Sequence, residues 1–155
     1  LYANKQSEKM EKRININTLE PQAYKAMYAL EGYLAQARLS KTLKELIKIR
    51  ASQINGCAFC INMHTQDALK YGETNQRIFL LNAWRETNLF SGEEQAVLAL
   101  AEEITLIHQG GLREETYQNA LQFFNENQLA QIIMAIVTIN AWNRIAISTH
   151  MPVEG

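Results

Sequence analysis

Ile54-Asn-Gly-Cys57-Ala-Phe-Cys60-Ile-Asn-Met-His64 carries both a fold signal and a chemical one. Asn55-Gly56 ends the helix before it, because both residues tolerate the left-handed conformation that terminates helices. Upstream, Leu43, Leu46, Ile47, Arg50 and Ile54 recur at i, i+3 and i+4, which predicts a helix from Lys41 to about Ile54 capped by Ser40. Downstream, a new helix starts at or near Cys57 and stops at Tyr71-Gly72. The two cysteines therefore fall in the first turn of a helix, on the far side of a sharp stop.

The punctuation is helical along the rest of the chain. Pro21 suits a first turn, and Tyr24, Met27, Tyr28, Leu30 and Leu34 give a stripe over Pro21 to about Gln36. A further helix is expected from about Asn75 to Thr87. Ser91-Gly-Glu-Glu94 is a capping box that opens an apolar-periodic run, Ala96 to Ile107, closed by Gly110-Gly111. A short helix is expected from about Arg113 to Phe124. The last helix, from about Gln128 to Thr149, is the most apolar and is expected to be the central one. No alternating strand, linker or repeat is visible. The expectation is an all-α, compact bundle of six to eight helices.

Composition narrows the function classes. The chain has 155 residues, 47% hydrophobic and 20% charged, with a net charge of -1. One domain that buries its own core follows, and disorder is excluded as the dominant state. Near-neutral charge gives no electrostatic reason to expect nucleic acid. Pro 2 and Gly 7 are too few for a turn-rich β architecture, and Cys 2 cannot form a secreted disulfide scaffold. The longest uncharged apolar stretch, Leu129 to Asn143, is 15 residues, short of the roughly 20 that a membrane span needs. Leu1 to Arg13 has no apolar core of a signal peptide. Residues 1–9 are expected to be an appended, over-called or disordered start, leaving residues 10–155 as a single domain, and the expected location is cytoplasmic.

Cys57 and Cys60 are spaced for redox chemistry. Residues i and i+3 are neighbours on a helix face, within reach of a disulfide after a small distortion of the first turn. The helix N-terminus offers free N–H groups and partial positive charge, both of which favour thiolate. His64 lies one turn beyond Cys60 on the same face and can take a thiol proton. The rival reading is zinc, with Cys57, Cys60, His64 and one carboxylate as ligands. Structural zinc sites usually have two separated ligand pairs, and no second CxxC exists, so no metal is assigned. Which cysteine attacks is open on physical grounds: the helix terminus favours Cys57 and the base favours Cys60.

With Glu45 twelve residues before Cys57, the set Glu45, Cys57, Cys60 and His64 resembles the AhpD-like (alkylhydroperoxidase D-like) branch of the carboxymuconolactone decarboxylase family. The flanking words agree: Lys44-Glu-Leu-Ile-Lys-Ile-Arg50, Ser52-Gln-Ile-Asn-Gly56, Asn82-Ala-Trp84-Arg85-Glu86 and Ile139-Asn-Ala-Trp142-Asn143-Arg144. The resemblance covers nearly everything from Met10 to Pro152. It implies a thiol-dependent peroxidase acting on an alkyl hydroperoxide or hydrogen peroxide, with Cys60 as peroxidatic and Cys57 as resolving cysteine. It implies Glu45 and His64 as the proton relay. It also implies an external dithiol reductant, of lipoyl type in the best-known branch, with no haem, flavin or metal, and a symmetric homo-oligomer. By helical phase alone Glu45 sits roughly 160° from the centre of its helix's apolar stripe, where a solvated glutamate belongs. The resemblance instead places it against the CxxC helix, on a face shared with Ile49.

Alternative readings are a general disulfide oxidoreductase, a non-redox decarboxylase-type enzyme on the same fold, and a zinc-binding interaction module. The decarboxylase branch does not use a CxxC, so the motif counts against it. His108 reads as a helix C-terminal charge and His150 as solvated. Trp84 and Trp142 read as core or interface anchors whose N–H groups need partners. Arg85 and Arg144 read as carboxylate partners or as residues at the site mouth. Apolar residues off the main stripes, among them Ile49, Ala51, Ile133 and Ile147, point to an oligomer.

Overall fold

The structure is a computed structural model and describes residues 11–153; the expectation for residues 1–9 lies outside them. Among the described residues there are eight α-helices, no strand and two 3-10 segments. The helices are α1 (Ile16–Leu19), α2 (Pro21–Ala35), α3 (Lys41–Asn55), α4 (Ala58–Lys70), α5 (Asn75–Phe79), α6 (Gly92–Thr105), α7 (Glu114–Leu121) and α8 (Glu126–Ser148).

Local chemistry sets the boundaries. Ser40 caps α3 by accepting from the Leu43 N–H at 3.1 Å. Gly56 at φ 70° ends it, and a β-carbon there would strain the left-handed backbone. Ser91 and Glu94 form the expected reciprocal box at α6, and Asn125 with Gln128 form a second one at α8. The single helix expected over Asn75 to Thr87 is broken. It ends at Phe79, and a 3-10 segment, Leu81–Glu86, follows with Ala83 off helical geometry at φ -116°, ψ 25°. The break turns Trp84 into the core, where its Nε1–H donates to Glu102 at 2.9 Å. Arg85 stacks on the Trp84 ring and pairs with the same carboxylate, which also accepts from Arg50 Nε at 2.8 Å.

The central helix is α3, not the last one. It packs against α4, α6 and α8, and Ile47, Ala51, Leu46 and Ile49 are buried on opposite sides of it. The off-stripe residues Ile49 and Ala51 are thus covered within one chain. Helix α8 seals one flank with Leu129, Ile132, Ile136 and Ile139 but leaves Val137 and Ile147 on the surface. It runs 23 residues, longer than its uncharged stretch, and is long and apolar enough to cross a membrane by length and composition; here it packs against α3 and α6. Helix α2 lies across α8 and buries only Leu34 along its length.

Candidate active site

The α3–Gly56–α4 corner builds the site. Cys57 is the N-cap of α4, and its Sγ accepts from the Cys60 N–H at 3.4 Å. The two sulfurs lie 2.6 Å apart and both cysteines are free thiols, almost wholly buried. A disulfide bond of about 2.05 Å is therefore a sub-ångström approach away. One turn along α4, the His64 Nδ1–H donates to Glu45 Oε2 at 2.8 Å. This leaves Nε2 as the nitrogen free to move a proton.

Glu45 is 5% exposed, so its phase within α3 misleads. A helix buried on several sides has no solvent face for phase to find. The face carrying Glu45, Ile49 and Ser52 packs against neighbouring elements as fully as the Leu43–Ile47 stripe does. Lys48 Nζ lies 3.3 Å from Glu45 Oε1, so the carboxylate is held from two directions.

Cys60 and His64 line a cavity of about 340 Å³. Its walls are aromatic and sulfur-rich: Tyr24 and Tyr28 from α2, Phe59 and Met63 from α4, Trp142 from α8, and Met151. Tyr24 meets Trp142 edge-on with ring centroids 5.4 Å apart, and Trp142 Nε1–H donates to Glu31 at 2.9 Å. Lys48, Glu31 and Asp67 add polar groups. Burial, with a smaller push from Tyr28, raises the Tyr24 phenol above its ordinary range. Cys57 lines a separate, smaller cleft with Ala58, Ile147 and His150.

The two thiols are unequal. The hydrogen bond with the Cys60 side chain, reinforced by the Cys60 N–H and the Asn143 amide, lowers Cys57 to about 7 against the opposing effect of burial. Cys60 is pushed well above its ordinary value, first by its hydrogen bond with Cys57 and then by burial.

The donor atoms that come within 4.8 Å of one another belong to Glu45, His64 and Asp67, without either cysteine, and two of these already bind each other. Other expectations resolve individually. His108 is exposed in the 3-10 segment Ile107–Gln109. His150 is half-buried: it takes φ 52°, and its ring nitrogen bonds the Glu11 carbonyl oxygen at 3.0 Å. Among the described residues Arg144 meets no carboxylate; it donates to the Asn140 carbonyl at 2.9 Å. Arg85 is at the Glu102 cluster, away from the cysteines. Sequence reasoning missed a buried polar contact between α3 and α8. Ser52 and Asn143 are both fully buried, and Asn143 Nδ2–H donates to Ser52 Oγ at 2.9 Å. The signal was available: Asn140 and Asn143 stand three apart in the most apolar helix of the chain.

Fold and site together define an all-α protein with a dithiol at a helix N-terminus beside a carboxylate–histidine pair. The carboxymuconolactone decarboxylase family model matches residues 21–103, and the chain belongs to that family. It is 45% identical over 139 residues to protein YdfG of Bacillus subtilis (strain 168), covering 90% of this chain and 95% of that one. An Agrobacterium tumefaciens crystal structure, of a protein of unknown function described as a candidate antioxidant defence protein AhpD, superposes with TM-score 0.89 at 37% identity, over 93% of this chain and all of that one. The apo debrominase Bmp8 shares the fold at TM-score 0.79 and 18% identity, over 89% of this chain and 74% of its own. The family fold thus houses more than one enzymatic chemistry.

Proposed function

We propose that the protein is a thiol-dependent peroxidase that reduces an alkyl hydroperoxide or hydrogen peroxide through a Cys57–Cys60 dithiol cycle. The observation that carries this is the pair of sulfurs at 2.6 Å, with Cys60 sharing a cavity with a histidine held by a buried carboxylate. The oxidant enters the aromatic cavity, where Cys60 faces it. Proton transfer from the Cys60 thiol to the Cys57 thiolate makes Cys60 the nucleophile. Its thiolate attacks the distal peroxide oxygen, the O–O bond breaks, and the leaving alkoxide takes a proton from His64, whose imidazolium character Glu45 stabilises. Cys60 is then a sulfenic acid. Cys57 condenses with it, releasing water and forming the disulfide. An external dithiol, of lipoyl type or carried by a protein, returns two electrons and two protons. The cysteines carry the electrons, so the cycle calls for no resident metal, haem or flavin. A reducing cytoplasm suits such a pair.

The lowered Cys57 thiol also supports a second reading, disulfide exchange with other thiols, because a thiolate near neutral pH is what exchange requires. One experiment separates the readings. Thiols are counted before and after one equivalent of cumene hydroperoxide, with metal analysis on the same sample. Rapid loss of two thiols per chain, with a Cys57–Cys60 disulfide found by mass spectrometry, supports the peroxidase. Slow loss of thiols to peroxide, with rapid exchange against a disulfide such as oxidised lipoamide, supports the second reading.

A further inference from the structure

The two cysteines open into different spaces. Cys60 lines the aromatic cavity with His64, whereas Cys57 lines the second cleft, of about 230 Å³. Phe59, Ala146 and Met151 line both and form the wall between them. The end of α8 builds the rest of the cleft. Thr149 caps that helix, the His150 N–H bonds the Ile147 carbonyl at 3.3 Å, and the Met151 N–H bonds the Ala146 carbonyl at 3.0 Å. This is a Schellman closure, in which the residue after the cap turns left-handed. Glycine is the usual residue there; here it is His150, at φ 52°. Its Nδ1 lies 3.0 Å from the Glu11 carbonyl oxygen, which can only accept, so Nδ1 carries the proton. Nε2 is left as the basic nitrogen of a residue that lines the Cys57 cleft.

Nothing in the oxidation of the pair uses this histidine. A disulfide, once formed, is reduced by a thiolate that attacks one sulfur while the other leaves. From the cleft the sulfur within reach is that of Cys57, with Cys60 as the leaving side. Cys57 is only 1% exposed, which shuts out a cysteine on the broad face of a folded protein. We infer that the cleft is the entrance of the reductant, that it admits a slender aliphatic dithiol, and that His150 is the base that receives the incoming proton. The first thiol gives its proton to His150 Nε2 as its sulfur bonds to Cys57. The Cys57–Cys60 bond breaks, and its electron pair leaves on Cys60, which takes a proton from water. The second thiol loses its proton to water and attacks the first reductant sulfur, closing a disulfide within the reductant. Cys57 leaves and takes the proton held by His150. The dithiol is oxidised, both cysteines are thiols again, and the reductant never enters the cavity of the oxidant. The inference rests on the dithiol cycle but not on peroxide being the oxidant.

The test starts from the full chain oxidised with diamide and follows the return of free thiols under dithiothreitol across neutral and alkaline pH. An ordinary thiol, with a pKa of about 8.5, is only roughly 3% thiolate at pH 7, so a base in the cleft matters most there. His150→Gly gives the left-handed position its usual residue and is expected to keep or raise the melting temperature. It is nevertheless expected to slow reduction about tenfold at pH 7, with the gap closing above about pH 9, where the dithiol ionises unaided. Added imidazole is expected to recover the loss at pH 7. Ile147→Trp, at a 44% exposed position on the cleft, is expected to slow dithiothreitol severalfold at every pH, while oxidation by cumene hydroperoxide through the other cavity keeps its rate. His150→Gly reduced at the unaltered rate, or slowed equally at every pH, would overturn the base. Ile147→Trp without effect, or slowing oxidation and reduction alike, would overturn the entrance. If diamide oxidises the unaltered protein and peroxide does not, the peroxidase reading falls and the reduction rates still decide this inference.

Discussion

Replacing Glu45 by glutamine keeps the size of the side chain and removes its charge. In the structure that charge sits 2.8 Å from His64 Nδ1 and is nearly sealed from water. A hydrogen bond to a charged group contributes about 1.5–3 kcal/mol, which converts to roughly 12- to 160-fold in rate if the imidazolium forms in the transition state. Glutamine can still accept from Nδ1–H through its amide oxygen, so orientation survives and only the charge is lost. His64→Ala removes the whole proton donor and is expected to cost more, about 10²–10⁴-fold. The assay is stopped-flow oxidation of the reduced protein by cumene hydroperoxide, followed by Trp142 fluorescence, since that indole lines the same cavity as Cys60. Calorimetry on each variant guards against a folding defect. Full oxidation rate in Glu45→Gln would refute the relay and leave the Glu45–His64 contact as a packing feature. Equal losses in the two variants would refute the division of effect between charge and base.

Further outcomes follow from other parts of the structure. Cys57→Ser should accumulate a sulfenic acid on Cys60 that a dimedone-type probe labels, while Cys60→Ser should form none; labelling of Cys57 in the latter protein would reverse the assignment. The lowered Cys57 thiol makes the folded reduced protein gain stability as pH rises past about 7 and lose it as pH falls through that value. Urea midpoints of the reduced form at pH 6 and 8.5 should show that order, and Cys57→Ser should abolish it. Glu102→Ala removes the shared partner of Trp84, Arg50 and Arg85 and should destabilise the fold by about 3–5 kcal/mol, read as a fall in urea midpoint. Light scattering at micromolar concentration should give at least twice the chain mass. Val137, Ile147 and the tyrosines of α2 leave apolar surface uncovered, Tyr28 at 58% exposure. A clean monomer would show these patches to be solvent-facing.

The sequence made the helices legible where polar punctuation is local. Ser40, Gly56 and the Ser91–Glu94 box each act within a few residues, and each works as expected. It failed where tertiary contacts decide. Nothing local in Leu81–Glu86 announces that Trp84 must reach Glu102, so a continuous helix was the natural reading. Helix α1 is one turn capped by Asn15 with no buried residue, too short for periodicity to register. Centrality was misjudged because apolar content points to α8, whereas being surrounded belongs to α3, which carries three lysines and a buried glutamate. In the site, Cys57, Cys60 and His64 were readable from spacing, since one helix carries them all. Glu45 required the family pattern, because its partner lies on another helix. The bond between Asn143 and Ser52 escaped, because it exists only where α3 and α8 meet.

Cys57 caps α4 with a sulfur, in the place where serine, threonine, aspartate or asparagine commonly supplies an oxygen. The same atom must give up its charge to form a disulfide, and a neutral, bonded sulfur is a weak acceptor. In the dithiol cycle proposed above, each turnover would withdraw and restore the cap of the helix that carries His64. That cycle would couple the first turn of α4 mechanically to the oxidation state of the pair, held when electrons are present and loosened when they are spent.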